Sequence, residues 1–282
     1  MAKWKERAGA IPMLAWLGIL VGCPLIYIFV LSFMTRGPGG TVGYQFTTEN
    51  YARLMNPLYL RVFGVSLGIA ALTSLFTLLI GYPFAYFTAR LKKRRRALVL
   101  LLVMIPFWTS SLLRTYGWMI ILQTDSGVLN NLLQALHITS EPIRFRYTYG
   151  AVQFVTIYML LPFMVLPIYN AVDRMDKSLP EASRDLGARR GQTFWRVTLP
   201  LTMPGIVAGV TLVFIAATGM FFISDLIGGA NTMLMGNLIR DQFGKSSNLP
   251  FGAALSVVMM LVVLLCIGIY AGVSRGSEEG VF

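Results

Sequence analysis

The stretch Ser178-Leu179-Pro180-Glu181-Ala182-Ser183-Arg184-Asp185-Leu186-Gly187, continuing to Val197-Thr198-Leu199-Pro200, is charged and helix-patterned although it lies between two long apolar runs. Ser178 and Glu181 have the spacing of a capping box, and Pro180 is tolerated in a first helical turn, so a helix is expected to start at Ser178. Leu179, Ala182, Ser183, Leu186 and Arg190 then follow the i, i+3, i+4, i+7 rule, beside a charged face of Arg184, Asp185 and Arg189. Such a helix suits insertion into a partner's groove. Gly187 and Gly191 permit a turn before Phe194, Trp195, Val197, Leu199 and Pro200 lead back to apolar sequence.

Outward from this stretch the chain is a membrane chain. Of its 282 residues 56% are hydrophobic and only 13% charged, about half the charged share of soluble domains. Six runs are long enough for the roughly 20 residues that a bilayer core requires: Ile11 to Met34, Val62 to Ala89, Ala97 to Leu122, Gly150 to Val172, Gly205 to Ser224, and Phe251 to Val273. The fold class expected is therefore all-α and polytopic. With the amino terminus inside, 16 Lys and Arg fall in cytoplasmic segments against 7 in outward loops, and Arg114 lies within the third run. That bias predicts both termini in the cytoplasm.

The same charge placement disposes of other readings. The net charge of +12 would raise nucleic acid as a partner in a soluble protein, but clusters such as Lys92 to Arg96 sit in short gaps between apolar runs and orient the chain against membrane lipid. Cys23 and Cys266 lie inside apolar runs and His137 in a polar connection, so no metal or catalytic constellation is expected. The first run, after Lys3, Lys5 and Arg7, is too long for a signal-peptide core and is expected to be a retained span. Pro24, Pro83, Pro106, Pro162 and Pro167 are candidate helix kinks. Arg36-Gly37-Pro38-Gly39-Gly40 and Asp125-Ser126-Gly127 read as turns, and Asn231 to Phe243 as a short interfacial helix.

Glu181-Ala182-Ser183, Gly187 and Val197-Thr198-Leu199-Pro200 resemble the EAA loop of ABC importer permeases, whose pattern is E-A-A, three residues, G, nine residues, then I-x-L-P. Ser183 stands for the second Ala and Val197 for Ile; the spacing matches throughout. The resemblance implies a type I importer permease fold and a bacterial inner membrane location. Its domains would be residues 1–61 (tail, first span, first periplasmic loop), a five-helix core at 62–273 containing coupling loop 173–203, and a tail at 274–282. It further implies that Ser178, Glu181, Ala182, Ser183, Leu186 and Gly187 dock on a cytoplasmic ATPase dimer, that ATP and Mg reside on that partner, and that this chain carries no cofactor and is not an enzyme. Gly244-Lys245-Ser246 imitates the tail of a phosphate loop, but Ile239 stands where its first glycine belongs.

Pro106-Phe107-Trp108-Thr109-Ser110-Ser111, Leu161-Pro162-Phe163-Met164 and Ser224-Asp225-Leu226-Ile227-Gly228-Gly229 resemble the first permease subunit of spermidine/putrescine importers. The resemblance implies a second homologous permease and a periplasmic substrate-binding protein as partners. A polyamine needs carboxylates at its amines and aromatic faces along its methylenes. Asp225 is the acidic residue nearest a membrane run on the outward side, and Trp108, Tyr116, Trp118, Phe221 and Phe222 lie on the runs expected to approach it. Trp108, about 17 Å along the third span by helix rise, is a candidate gate. The alternative for Asp225 is an ion pair with Arg114, about 25 Å along the same span. The same machinery with another small solute, and a stand-alone secondary transporter, are the competing functions; a membrane enzyme ranks last for want of an intramembrane nucleophile and base.

Overall fold

Apolar runs in a bilayer must satisfy their backbone groups internally, and these runs do so as helices. The computed structural model describes residues 2–176 and 178–279. In chain order its elements are α1 (Ala2–Leu31), strands β1 (Met34–Arg36) and β2 (Val42–Phe46), α2 (Glu49–Leu54), α3 (Pro57–Ala89), α4 (Lys93–Met104), α5 (Ser111–Ile121), α6 (Val128–Ala135), α7 (Tyr149–Arg174), α8 (Ser178–Asp185), α9 (Arg190–Thr193), α10 (Leu199–Gly219), α11 (Phe221–Ile223), α12 (Met235–Phe243) and α13 (Leu249–Glu279). Four helical stretches are long and apolar enough to cross a membrane: Pro57–Ala89, Tyr149–Arg174, Arg190–Gly219 and Leu249–Ile269. A shorter apolar helix covers Trp16–Leu31.

The third apolar run departs from the expectation of one helix over Ala97 to Leu122. Lys93–Trp108 and Ser111–Ile121 meet at an angle of 91°. Pro106 has no N–H to offer, and after a 3-10 turn at Ile105–Trp108 the residues Thr109 and Ser110 are extended (ψ 147° and 138°), which ends the helix. Depths counted along a single straight helix therefore do not apply to Trp108 or Arg114. Pro83, Pro162 and Pro167 remain inside continuous helices. The fifth run is likewise cut: α10 ends at Gly219, and Met220 turns out of helical geometry with ψ 67°.

The chain divides into two compact units. Residues 62–237 and 263–282 form the first. Its centre is α7, whose Val152, Val155, Leu160, Met164, Val165 and Ile168 are fully buried. Thr148 caps α7 by accepting a hydrogen bond from the Ala151 amide at 3.1 Å. Against it lies α10, and the approach is close enough to require glycine: a Cβ on Gly205 would stand 2.7 Å from the Pro167 carbonyl oxygen, and one on Gly209 would stand 2.8 Å from the Met164 sulfur. Small residues at such crossings are how membrane helices gain van der Waals contact where lipid removes the hydrophobic driving force. A polar contact adds to this core, with Gln153 donating to the Thr73 hydroxyl at 2.8 Å.

Residues 1–61 and 238–262 form the other unit. Here the expected Gly-rich turn at Arg36–Gly40 links β1 and β2 into an antiparallel hairpin, an element the sequence pattern did not announce. Asn50 holds it to the end of α1 by donating to the Ser32 and Met34 carbonyls, both at 2.9 Å. Phe33 stacks on Phe46 with ring centroids 5.3 Å apart.

Candidate functional site

The segment from Asp176 to Pro200 is built as a projecting helix with a return anchor. Its first turn is capped differently from the expected capping box. Ser178 is the first helical residue rather than the cap, and its amide donates to Asp176 Oδ1 at 2.9 Å. That bond holds the Asp176 carboxyl below the usual carboxylate range. Pro180 falls in the first turn and Glu181 one residue later, as expected.

Gly187 explains its own place in the motif. Its φ of +89° is left-handed. The Ala188 amide returns to the Ser183 carbonyl at 3.1 Å and the Gly187 amide to the Arg184 carbonyl at 2.8 Å. This pair of bonds is a Schellman closure, which satisfies the last carbonyls of α8 and turns the chain back. Leu186, just before it, is 89% exposed, and Leu179 and Ala182 are exposed too. The apolar stripe of α8 is thus open in this chain.

The return leg is anchored. Ser183 and Thr193 hydroxyls lie 3.3 Å apart, and Phe194 meets Tyr82 of α3 edge-on at 5.7 Å and Tyr86 at 6.2 Å. A π-helical turn at Phe194–Thr198 then feeds α10, with Thr198 buried. Nearby, Arg96 at the start of α4 pairs with Asp173 at the end of α7. A cavity of about 230 Å³ lies between these elements, bordered by Tyr86, Arg90, Met175, Glu181 and Arg184.

At the other end of α7, some 39 Å away by helix rise, the residues after α10 form a second constructed feature. Ser224–Gly228 is a π-helical turn that carries Asp225. The Tyr147 amide donates to the Ile227 carbonyl at 2.8 Å, and the Arg146 guanidinium to the Leu226 carbonyl at 3.2 Å. Asn237, in the first turn of α12, donates to Asp225 Oδ1 at 2.6 Å and to the Phe221 carbonyl at 3.1 Å. α12 realises the short helix expected in Asn231 to Phe243 and starts at Met235.

The aromatic candidates separate. Phe221 and Phe222 sit beside the acidic turn with ring centroids 6.4 Å apart. Tyr116 is half-exposed on α5, the helix that packs against that turn. Trp118 belongs to the core, edge-on to Phe154 at 5.0 Å and Tyr158 at 5.4 Å. Trp108 stands in the 3-10 turn before the break, 80% exposed in the single chain. Arg114 lies over Phe107, its Cζ 5.2 Å from the ring centroid. Sequence reasoning missed Asn237, Arg146 and Tyr147; an amide and two residues of the loop before α7 give no periodic signal.

Among the described residues no group of three His, Cys, Asp or Glu could hold a metal. Lys245 pairs with Asp241 at 3.5 Å, and with Gly244 at the end of α12 it belongs to no phosphate loop.

The family model described as "Binding-protein-dependent transport system inner membrane component" matches residues 81–277. The chain is 46% identical over 265 residues to the spermidine/putrescine transport system permease protein PotB of Salmonella typhimurium (strain SL1344), covering 94% of this chain and 92% of that protein. It is 45% identical over the same length to PotB of Escherichia coli (strain K12), at 94% and 96% coverage. Among solved structures, a bacterial ABC transporter involved in the import of the acidic polysaccharide alginate superposes with a TM-score of 0.75 at 18% identity, over 100% of this chain and 97% of that one; this likeness speaks to the fold. With its helical architecture and a match over most of its length, the chain belongs to the binding-protein-dependent transport system inner membrane components, the membrane-embedded permease subunits of ABC importers.

Proposed function

We propose that this chain is one transmembrane half of an ATP-driven importer for polyamines. It pairs with a second homologous permease, receives substrate from a periplasmic binding protein and is driven by a cytoplasmic ATPase dimer that holds ATP and Mg. The chain crosses the membrane six times, the broken α4–α5 pair counting as one crossing and both termini lying inside. The observation that carries the coupling role is the Schellman-closed helix α8, which offers Leu179, Ala182 and Leu186 to a partner while Phe194 and Tyr82 tie it to the spans. A rigid link of this kind passes movement of the ATPase to α3 and α10. The kinship with PotB proteins supports the polyamine as cargo.

Asp225, flanked by Phe221 and Phe222, supplies this chain's carboxylate to the pathway; Tyr116 and Trp108 supply aromatic faces. One carboxylate does not neutralise a di- or trication, so the second permease completes the site. The test is uptake of radiolabelled spermidine and putrescine by the four-component transporter in proteoliposomes. Asp225→Asn should depress uptake of both while leaving the assembled complex intact. Unchanged uptake would remove Asp225 from the pathway, and absence of any polyamine uptake by the wild-type complex would reassign the cargo.

A further inference from the structure

Asp225 stands on a turn that its own sequence does not stabilise. After the break at Met220 the chain makes only a three-residue helix and one π-helical turn, too short to fix a side chain by itself. Asn237 ties this turn to α12. It is 4% exposed and it uses both ends of its amide. Nδ2 reaches Asp225 Oδ1 at 2.6 Å and the Phe221 carbonyl at 3.1 Å, while Oδ1 accepts from the Leu234 amide at 3.1 Å. The carbonyl it holds belongs to Phe221, about one helical turn before Asp225. Gly236 lets the helix bearing Asn237 come this near, since a Cβ there would lie 2.8 Å from Cβ of Phe221.

We infer that Asn237 is a positioning residue of the cation site, tying the Asp225 carboxylate to the Phe221 backbone. This rests on the reading of Asp225 as a substrate contact. A buried amide suits the task chemically. Its N–H is a neutral donor that holds a carboxylate oxygen without adding charge to the site. An aspartate at this position would keep the acceptor for Leu234 but place a second negative charge beside Asp225, where like charges disfavour joint ionisation.

The experiment is a double-mutant cycle on spermidine uptake by the reconstituted four-component transporter, with yield of assembled complex measured for each variant. Asn237→Ala and Asn237→Asp should each lower uptake about tenfold, the scale of a lost hydrogen bond to a charged group. Asn237→Gln, which retains an amide donor, should restore a large part of it. In the Asp225→Asn background Asn237→Ala should add less than about twofold, because the carboxylate it orients is gone. A full additional loss there, or equal damage from Gln and Ala, would make the role merely structural and overturn the inference. Normal uptake by Asn237→Ala beside impaired Asp225→Asn would overturn it while the reading of Asp225 stood. Normal uptake by Asp225→Asn would remove that reading, and this inference with it.

Discussion

The hydroxyl oxygens of Tyr82, in α3, and Thr202, in α10, lie 3.0 Å apart and buried. The same Tyr82 ring receives the edge of Phe194 from the coupling segment. One tyrosine therefore joins two membrane helices to the segment proposed to meet the ATPase. A buried bond between neutral hydroxyls contributes about 1 kcal/mol net. Tyr82→Phe should cost the chain about that much in detergent denaturation, and Thr202→Val should add little once Tyr82→Phe is present. Independent, additive losses would mean that the two hydroxyls do not act as a pair.

Gly187 isolates a purely conformational effect. Nothing lies within 4 Å of a Cβ built there, so a substitution meets only the strain of a left-handed φ, about 1 to 2 kcal/mol for an ordinary side chain. Gly187→Val should fray the end of α8 and lower substrate-stimulated ATPase turnover, whereas Gly187→Asn, which visits this region more readily, should fall between Val and wild type. If Asn and Val behave alike, the defect is steric at the partner surface.

Leu186 should separate docking from folding. At 89% exposure it adds almost nothing to the fold of this chain, so Leu186→Asp should leave the yield and melting temperature of the isolated subunit within about 0.5 kcal/mol of wild type. Copurification with the ATPase should be lost. An intact complex would show that the stripe on α8 is not the contact. Glu181→Ala, beside it, should weaken copurification less severely.

The α8 cap has a defined pH window. The carboxyl of Asp176 sits below its ordinary value because the Ser178 amide bonds to its ionised form. A depressed folded value means the stabilisation is present above the unfolded value, about pH 4, and is lost as pH falls through the lower folded value. Amide-exchange protection at Ser178 should hold from neutral pH to about pH 5 and weaken in stronger acid. Asp176→Asn, still an acceptor, should retain protection without that acid dependence, and Asp176→Ala should lose it at every pH.

Much of this was legible in advance because it depends on local chemistry. Apolar run length is set by bilayer thickness, so the positions of α3, α7, α10 and α13 follow from composition alone. The Glu181 to Pro200 spacing is readable because a helix of about two turns that ends at Asp185 needs its left-handed glycine at Gly187. The capping box was misplaced by two residues because Ser, Asp and Thr near a helix start compete for the same amides, and only the folded backbone selects Asp176. The hairpin at Met34–Phe46 was not foreseen, since its strands are short and its pairing is not periodic.

The sequence by itself determined that this chain lives in a membrane and that one charged helix, from Ser178 to Gly187, lies between its apolar runs. It also named Asp225 as the carboxylate to examine. Tertiary structure decided what those residues rest on. Pro106 breaks its helix where other prolines leave theirs intact, because the residues after it extend. Trp118 is drawn into the core by Phe154 and Tyr158. Asn237 reaches Asp225 across twelve positions of chain. Periodicity reports which face of one element is apolar; which side chains from separate elements converge is fixed only when the elements pack.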